Sequence, residues 1–274
     1  MKNNLLSSVL IISLTTILVS SCRLLDLNAA HPTSEPNETK AKNLMKEMAL
    51  SHGIEEWNNI STYQIKLDDE FYGFVGKQGS PYKEGKTRIS LNYVPNTFDG
   101  RLEILTGKEK GHIMGMSNWK TYTKNANDSI EFKKDKNAKF WVPTYQYFIE
   151  FPRKIQEATA FKYLGQKAYK NTLCEVILAS WKTTEAQKDL DQYVIWVNAS
   201  SKRIVKIDFT IRDIAKFVSG TIHFNKYKTF NGILLPSEMP VSSSLIKKGL
   251  LHKMEILSFE TDILTQKQLR PKSN

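Results

Sequence analysis

The chain has 274 residues, 41% apolar and 11% aromatic, with 24% charged side chains and a formal net charge of +11. That much apolar mass can build a core, which excludes a disordered chain and suits one large domain or two small ones. A basic chain raises nucleic acid as a partner, but the lysines are spread over the whole length, as expected if they mainly keep the protein soluble.

Lys2 precedes an apolar run from Leu5 to Val19. The run is too short to span a bilayer comfortably, which takes roughly 20 apolar residues. A basic start, a short apolar centre and small residues before a cut read as a secretory signal. Val19-Ser20-Ser21-Cys22 resembles the lipobox of bacterial lipoproteins. The resemblance implies cleavage before Cys22 and acylation of its thiol and new amino group, which makes Cys22 the membrane anchor. An ordinary signal peptide followed by a chance cysteine, or an uncleaved helix, is the alternative. Removal of 1–21 takes away Lys2 and leaves a net charge of +10. On an exported, tethered chain that charge faces anionic lipid head groups, worth about 1 kcal/mol per cation close to the surface. With Cys22 acylated, Cys174 has no partner, so no disulfide framework is expected. Cys174 lies in an apolar strand-like run and reads as a buried small hydrophobe.

Residues 23–36 are rich in Asn, Pro, Ser and Glu and read as a flexible tether with a reach of roughly 20 Å. The expected organisation is a signal at 1–21, a tether at 22–36 and one β-rich domain at 37–274. Residues 38–52 carry the clearest helix. Ala41, Leu44, Met45, Met48 and Ala49 fall at i, i+3, i+4, i+7 and i+8, one apolar stripe. Asn37 can cap its start and Gly53 suits the left-handed stop position. The stripe either packs plainly on a sheet or, with its two adaptable methionines, plugs an apolar groove. Residues 54–59 add one helical turn.

Beyond Ile60 the period changes. Residues 63–67 alternate as a half-buried strand does, with 71–75 as its return. Residues 87–94 and 100–105 are two more strands, and 112–116 with 119–123 form a hairpin around Ser117-Asn118. The lysine-rich stretch 124–139 reads as a loop. Residues 140–152 are dense in aromatics and bounded by prolines. A short helix over 144–151 is expected to end at Pro152, either sealing the core or lining an entrance. Further strands follow at 162–166, 172–182, 192–197, 203–212, 220–230, 234–241 and 253–261. The run 172–182 is almost continuously apolar, as expected of a strand covered on both faces. In 203–212, Val205, Ile207, Phe209 and Ile211 share one face, and Lys206, Asp208, Thr210 and Arg212 the other. Asn231-Gly232 is a strong hairpin signal. The fold class is α+β and mainly antiparallel β; the absence of βαβ alternation argues against a nucleotide-binding fold.

The order of these features resembles a known family. Phe151-Pro152 precedes Lys162-Tyr163-Leu164-Gly165. Then come the strand over 173–179, Asp189, Asp191-Gln192-Tyr193 and Ile195-Trp196-Val197. Lys202-Arg203-Ile204 leads to Phe230-Asn231-Gly232-Ile233-Leu234-Leu235-Pro236. This order resembles an uncharacterised family of bacterial outer-membrane lipoproteins, similar in turn to the lipoprotein-carrier fold of the LolA/LolB type. His52-Gly53 and Trp57 resemble the end of that family's first helix, with Ile54 where a second glycine is common.

The resemblance implies an unclosed, LolA-like half-barrel with an N-terminal helix packed on or in it. It implies a binder or carrier of lipid, lipoprotein or another apolar ligand. A buried methylene gains about 0.8 kcal/mol, so one acyl chain is an adequate guest. Leu44, Met45 and Met48 would plug the hollow, Trp141, Tyr145 and Phe148 would form its aromatic entrance, and Ile207 or Phe209 would line it. An outer-membrane address facing the periplasm is implied too, since Arg23 is not the aspartate of inner-membrane retention.

No motif points to catalysis. His31, His52, His112, His223 and His252 show no metal-binding spacing, and the mature chain offers no cysteine pair for zinc. There is no Gly-x-Ser-x-Gly elbow. His223 reads as structural. Asp189 and Asp191 are either a hydrolase's carboxylate pair or solvated loop residues at a strand start. The expectation is a monomeric, non-enzymatic protein with no cofactor, metal or nucleic-acid partner, held to the membrane through Cys22. An envelope interaction scaffold with a filled barrel is the alternative.

Overall fold

The computed structural model describes residues 24–34, 36–124 and 129–272; the signal-like segment and Cys22 lie outside them. Two wings of antiparallel strands make one curled sheet. β1 (Tyr63–Phe71), β2 (Lys86–Tyr93), β3 (Gly100–Ile104), β4 (Ile113–Ser117), β5 (Lys120–Lys124) and β6 (Ile130–Phe132) pair in succession. So do β7 (Ala160–Tyr169), β8 (Thr172–Ser180), β9 (Tyr193–Asn198), β10 (Ile204–Thr210) and β11 (Ser219–His223). β13 (Ile233–Ser243) lies on β11 and β14 (His252–Thr261) on β1, which joins the wings, while β12 (Asn225–Phe230) pairs with β13 off the main path. The order ends at β6 and β7 without closure, giving the unclosed, mainly antiparallel half-barrel of an α+β fold. Both edges are blunted. β6 has three residues, and β7 bulges between Tyr163 and Gln166, at Gly165, and carries Lys162 and Lys167.

Alternation builds the concave face. β1 buries Tyr63, Ile65, Leu67, Asp69 and Phe71 and leaves the residues between them half-buried, because successive strand side chains point to opposite faces. Ile89, Leu91, Leu102, Ile195, Ile207 and Phe209 join the same apolar cluster.

Short α1 (Leu27–Ala30) precedes α2 (Glu38–Ser51). Asn37 caps α2 by accepting from the Lys40 amide at 2.8 Å, and the stripe from Ala41 to Ala49 is buried as its spacing requires. α2 packs on β7 and β8. Gly53 ends it at φ +71°, where a Cβ would stand 2.3 Å from the Gly232 carbonyl oxygen. His52 beside it is buried. Its Nδ1 lies 2.7 Å from the Met48 carbonyl oxygen and its Nε2 3.1 Å from the Tyr227 hydroxyl. Burial holds its pKa down at about 4. Trp57 meets Tyr63 and Phe259 edge-on.

Four local expectations are corrected. Residues 71–75 are no strand, because β1 runs on to Phe71 and α3 (Gly73–Gly79) follows. The stretch 124–139 holds β6 and the start of α4 (Lys136–Ile149). That helix carries Pro143 in its interior, and Pro152 opens α5 (Phe151–Lys154) instead of ending a helix. A proline removes one backbone donor and leaves the carbonyl four residues earlier without its bond; here that residue is Lys139, which is exposed and can be hydrated. In β10 a register shift between Ile204 and Lys206 turns Ile204 toward the main core and Val205 toward the outer face.

The described part of the expected tether is docked. Leu27 joins Leu164, Cys174, Val176, Leu178, Val194 and Trp196 in a second apolar cluster, with Leu25 packed against it. The Leu27 amide donates to Gln192 Oε1 at 2.8 Å. The Leu25 amide donates to the Lys216 carbonyl at 3.0 Å, and Arg212 Nη2 donates to the Leu25 carbonyl at 2.6 Å. β8 is therefore covered on both faces, as its apolar run predicts. Ile177 and Ala179 enter the main core, and Cys174, Val176 and Leu178 the second cluster.

Candidate functional site

α4 is fixed to the sheet by polar bonds at intervals along its length. Asp135 caps it, accepting from the Asn137 and Ala138 amides at 2.8 and 3.1 Å. The Tyr93 hydroxyl donates to the Val142 carbonyl at 2.7 Å, Gln146 Nε2 to the Val94 carbonyl at 2.9 Å, and Trp141 Nε1 to the Gly79 carbonyl at 3.1 Å. Glu150, fully buried at its end, accepts from the Tyr63 hydroxyl, Gln146 Nε2 and the Asn96 amide at 2.9, 2.6 and 2.8 Å. Burial raises the Glu150 pKa, and these donors with Lys154 offset part of that rise.

Between α3, α4 and the middle of the sheet a hollow of about 410 Å³ is left. Small-molecule sites run from roughly 300 to 1,000 Å³ and are mostly apolar. Its wall is built from Phe71, Trp141, Tyr145 and Phe148 on one side and Phe209, Ile222, Val241 and Met254 on the other. Gln78, Asn137, Thr144, Tyr145 and His252 interrupt the apolar wall, and a buried polar chain runs behind the last two. Asp69 is the inward-facing carboxylate of β1 and is completely buried. It accepts from the Tyr145 hydroxyl and pairs with His252 Nε2. The Tyr82 hydroxyl lies 3.0 Å from that of Tyr145. Burial and the Asp69 charge push the Tyr82 and Tyr145 pKa values well up, so both stay protonated and able to donate. His252 stacks on Phe71 with ring centres 4.1 Å apart and meets Trp141 edge-on at 5.6 Å.

A second recess of about 480 Å³ shares Phe140, Phe148, Phe209 and Ile211 with the hollow. It also carries Lys136, Lys139, Asp191 and Asp213.

Of the residues named from sequence, Trp141, Tyr145, Phe148 and Phe209 stand together on the hollow's wall. Leu44, Met45, Met48 and Ile207 do not; they are buried in the core. Asp189 is exposed and paired with Lys216 at 3.2 Å. Asp191 is partly buried and accepts from Thr210 Oγ1 and the Arg212 amide at 2.8 and 2.9 Å. Burial pushes its carboxyl up. The two carboxylates thus sit in different surroundings. His223 bonds the Tyr169 hydroxyl at 2.7 Å. Cys174 is a buried free thiol, and burial pushes its pKa up and away from the nucleophilic thiolate. Sequence reasoning missed Asp69 and His252. Asp69 continues the two-residue period of Tyr63, Ile65 and Leu67, so its inward position was within reach. Among the described residues no three or more His, Cys, Asp and Glu side chains form a group that could hold a metal ion.

No family model matches the chain, and none of the curated proteins compared with it does. Solved structures do match. A domain from Vibrio parahaemolyticus named for outer membrane lipoprotein sorting gives a TM-score of 0.58 at 12% identity, covering 85% of this chain and 97% of that one. A LolA superfamily protein from Nitrosomonas europaea gives 0.52 at 10% identity, covering 84% and 96%. At such identities the likeness is one of fold, and the fold is LolA-like.

Proposed function

We propose that this chain is a lipid-anchored envelope protein that holds a lipid or another apolar guest in the hollow beside α4, without catalysis. The hollow carries the reading. It is an apolar space of about 410 Å³ in the concave face of a LolA-like half-barrel. The matched structures support an envelope setting through the lipoprotein sorting and LolA superfamily named for them. The lipobox-like Val19-Ser20-Ser21-Cys22 supports anchoring at Cys22, and Arg23 supports the outer membrane; the body is a monomer in which Leu25 and Leu27 dock on the domain expected at 37–274.

The wall explains how a guest would be held. Rings and branched side chains remove its methylenes from water at about 0.8 kcal/mol each, less the cost of ordering guest and wall. Tyr145 and His252, backed by the buried Asp69, and Gln78, Asn137 and Thr144 offer the guest's polar end hydrogen-bonding groups in a mostly apolar wall. Native mass spectrometry of protein extracted from membranes should show an acyl mass on Cys22 and a second, non-covalent lipid. Delipidated protein should take up a fluorescent fatty acid, and Phe209→Glu should abolish the uptake. A delipidated protein that binds no such probe and co-purifies with no lipid would overturn this reading.

A further inference from the structure

Three segments meet at the mouth of the hollow. They are α3, the loop from β10 to β11 and the loop from β13 to β14, which place Val75, Ile214, Leu245 and Leu251 on its lining. They are tied together along the rim. The Tyr72 amide donates to the Leu251 carbonyl at 3.0 Å, and the Ser244 amide to the Ser219 carbonyl at 2.9 Å. A Cβ on Gly76 would stand 2.4 Å from the Leu251 carbonyl oxygen, so α3 lies directly on that loop.

Each segment also turns large apolar side chains outward. Phe74 is 79% exposed, Phe217 54%, Ile214 53% and Leu245 45%. Scattered singly such residues need no explanation, but gathered around one opening they mark an interaction surface. The same segments carry the exposed lysines Lys77, Lys216, Lys247 and Lys248, and one carboxylate, Asp213. Lys216 is partnered by Asp189. A protruding apolar rim set among cations is complementary to an anionic lipid surface.

The third observation is where the chain leaves this surface. Leu25 is bonded through its amide and its carbonyl to Lys216 and Arg212, both on the β10–β11 loop. Cys22 lies three residues upstream of Leu25, a stretch that spans at most about 11 Å.

We propose that this rim docks on the anionic bilayer that receives the Cys22 anchor, so that the hollow opens onto the lipid surface. The inference rests on the anchored, lipid-binding reading above and adds the orientation. Acylation of both the thiol and the amino group already gives stable attachment, so the apolar, basic rim is needed only to fix how the body sits on the surface.

The test uses the full acylated protein in phosphatidylglycerol vesicles. Its remaining thiol, Cys174, is buried, so Lys247→Cys can be labelled selectively with an environment-sensitive dye. Nitroxide-labelled lipid should quench that dye at least twofold. Phe74→Asp with Phe217→Asp should remove the quenching and slow fatty-acid uptake from vesicles about tenfold. Neither side chain lines the hollow, so the affinity of delipidated protein for the probe in solution should not change. An unquenched dye on anchored protein that still binds the fatty acid would overturn the orientation. Quenching without fatty-acid binding would support the orientation and overturn the lipid-binding reading instead.

Discussion

α2 and α4 both lie in the concave face of the half-barrel, and they cover it in different ways. α2 lays an unbroken stripe of Ala41, Leu44, Met45, Met48 and Ala49 on β7 and β8, and none of these side chains borders the hollow. α4 is held at spaced points by Tyr93, Gln146, Glu150 and the indole of Trp141, with broad rings between them, and the hollow lies beside it. The sheet is apolar under both helices. The space is therefore decided by how each covering helix is attached. A continuous aliphatic stripe packs to crystal-like density, whereas polar attachments fix a helix at a distance its own bulk does not fill.

The largest test of that contrast is Met48→Ala. It should cost about 2–5 kcal/mol in a urea titration and leave the probe affinity of the folded protein unchanged. A variant that instead bound the fatty acid more tightly would break the contrast, because α2 would then also be gating a usable space. Next comes pH. His52 at the end of α2 has a folded pKa lowered from 6.5 to about 4. The unfolded chain therefore binds the extra proton first, and stability is full above pH 6.5 and declines as pH falls toward 4, by about 3 kcal/mol. Glu150 and Asp191 work in the opposite sense, since their raised pKa values add stability as they protonate. His52→Gln should flatten the decline between pH 6.5 and 4 in melting experiments. On the α4 side, Trp141→Ala should weaken fluorescent fatty-acid binding about tenfold, or about 1.4 kcal/mol, with less loss of stability than Met48→Ala. Tyr145→Phe is the mildest. It removes one hydroxyl from Asp69, and calorimetry should record about 1 kcal/mol lost.

The half of the structure built on local periodicity was legible in advance. The stripe, cap and stop of α2, the alternation of Tyr63, Ile65 and Leu67, the Asn231-Gly232 turn and the two-sided run of β8 each repeat a short-range rule that the chain states directly. What was hidden depends on long-range supply. Pro143 reads as a boundary because its missing donor is visible and the exposure of Lys139 is not. Leu25 and Leu27 read as tether because the cluster that buries them comes from β7–β9, more than a hundred residues later. The candidate site divides the same way. Trp141, Tyr145 and Phe148 announce themselves as an aromatic segment, whereas Asp69 and His252 are 183 residues apart in sequence and meet only because β1 pairs with β14.

The blunted edges of the sheet bear on crowding. An open half-barrel presents backbone donors and acceptors at β6 and β7, which another copy could extend. Molecules confined to a two-dimensional surface meet far more often than molecules in a volume. A three-residue β6 offers little to extend. The kink at Gly165 and the charges of Lys162 and Lys167 keep β7 from stacking into a ribbon. Lys162 and Lys167 thus have a use apart from any ligand: on a chain anchored as proposed, they let many copies share one surface without polymerising along their edges.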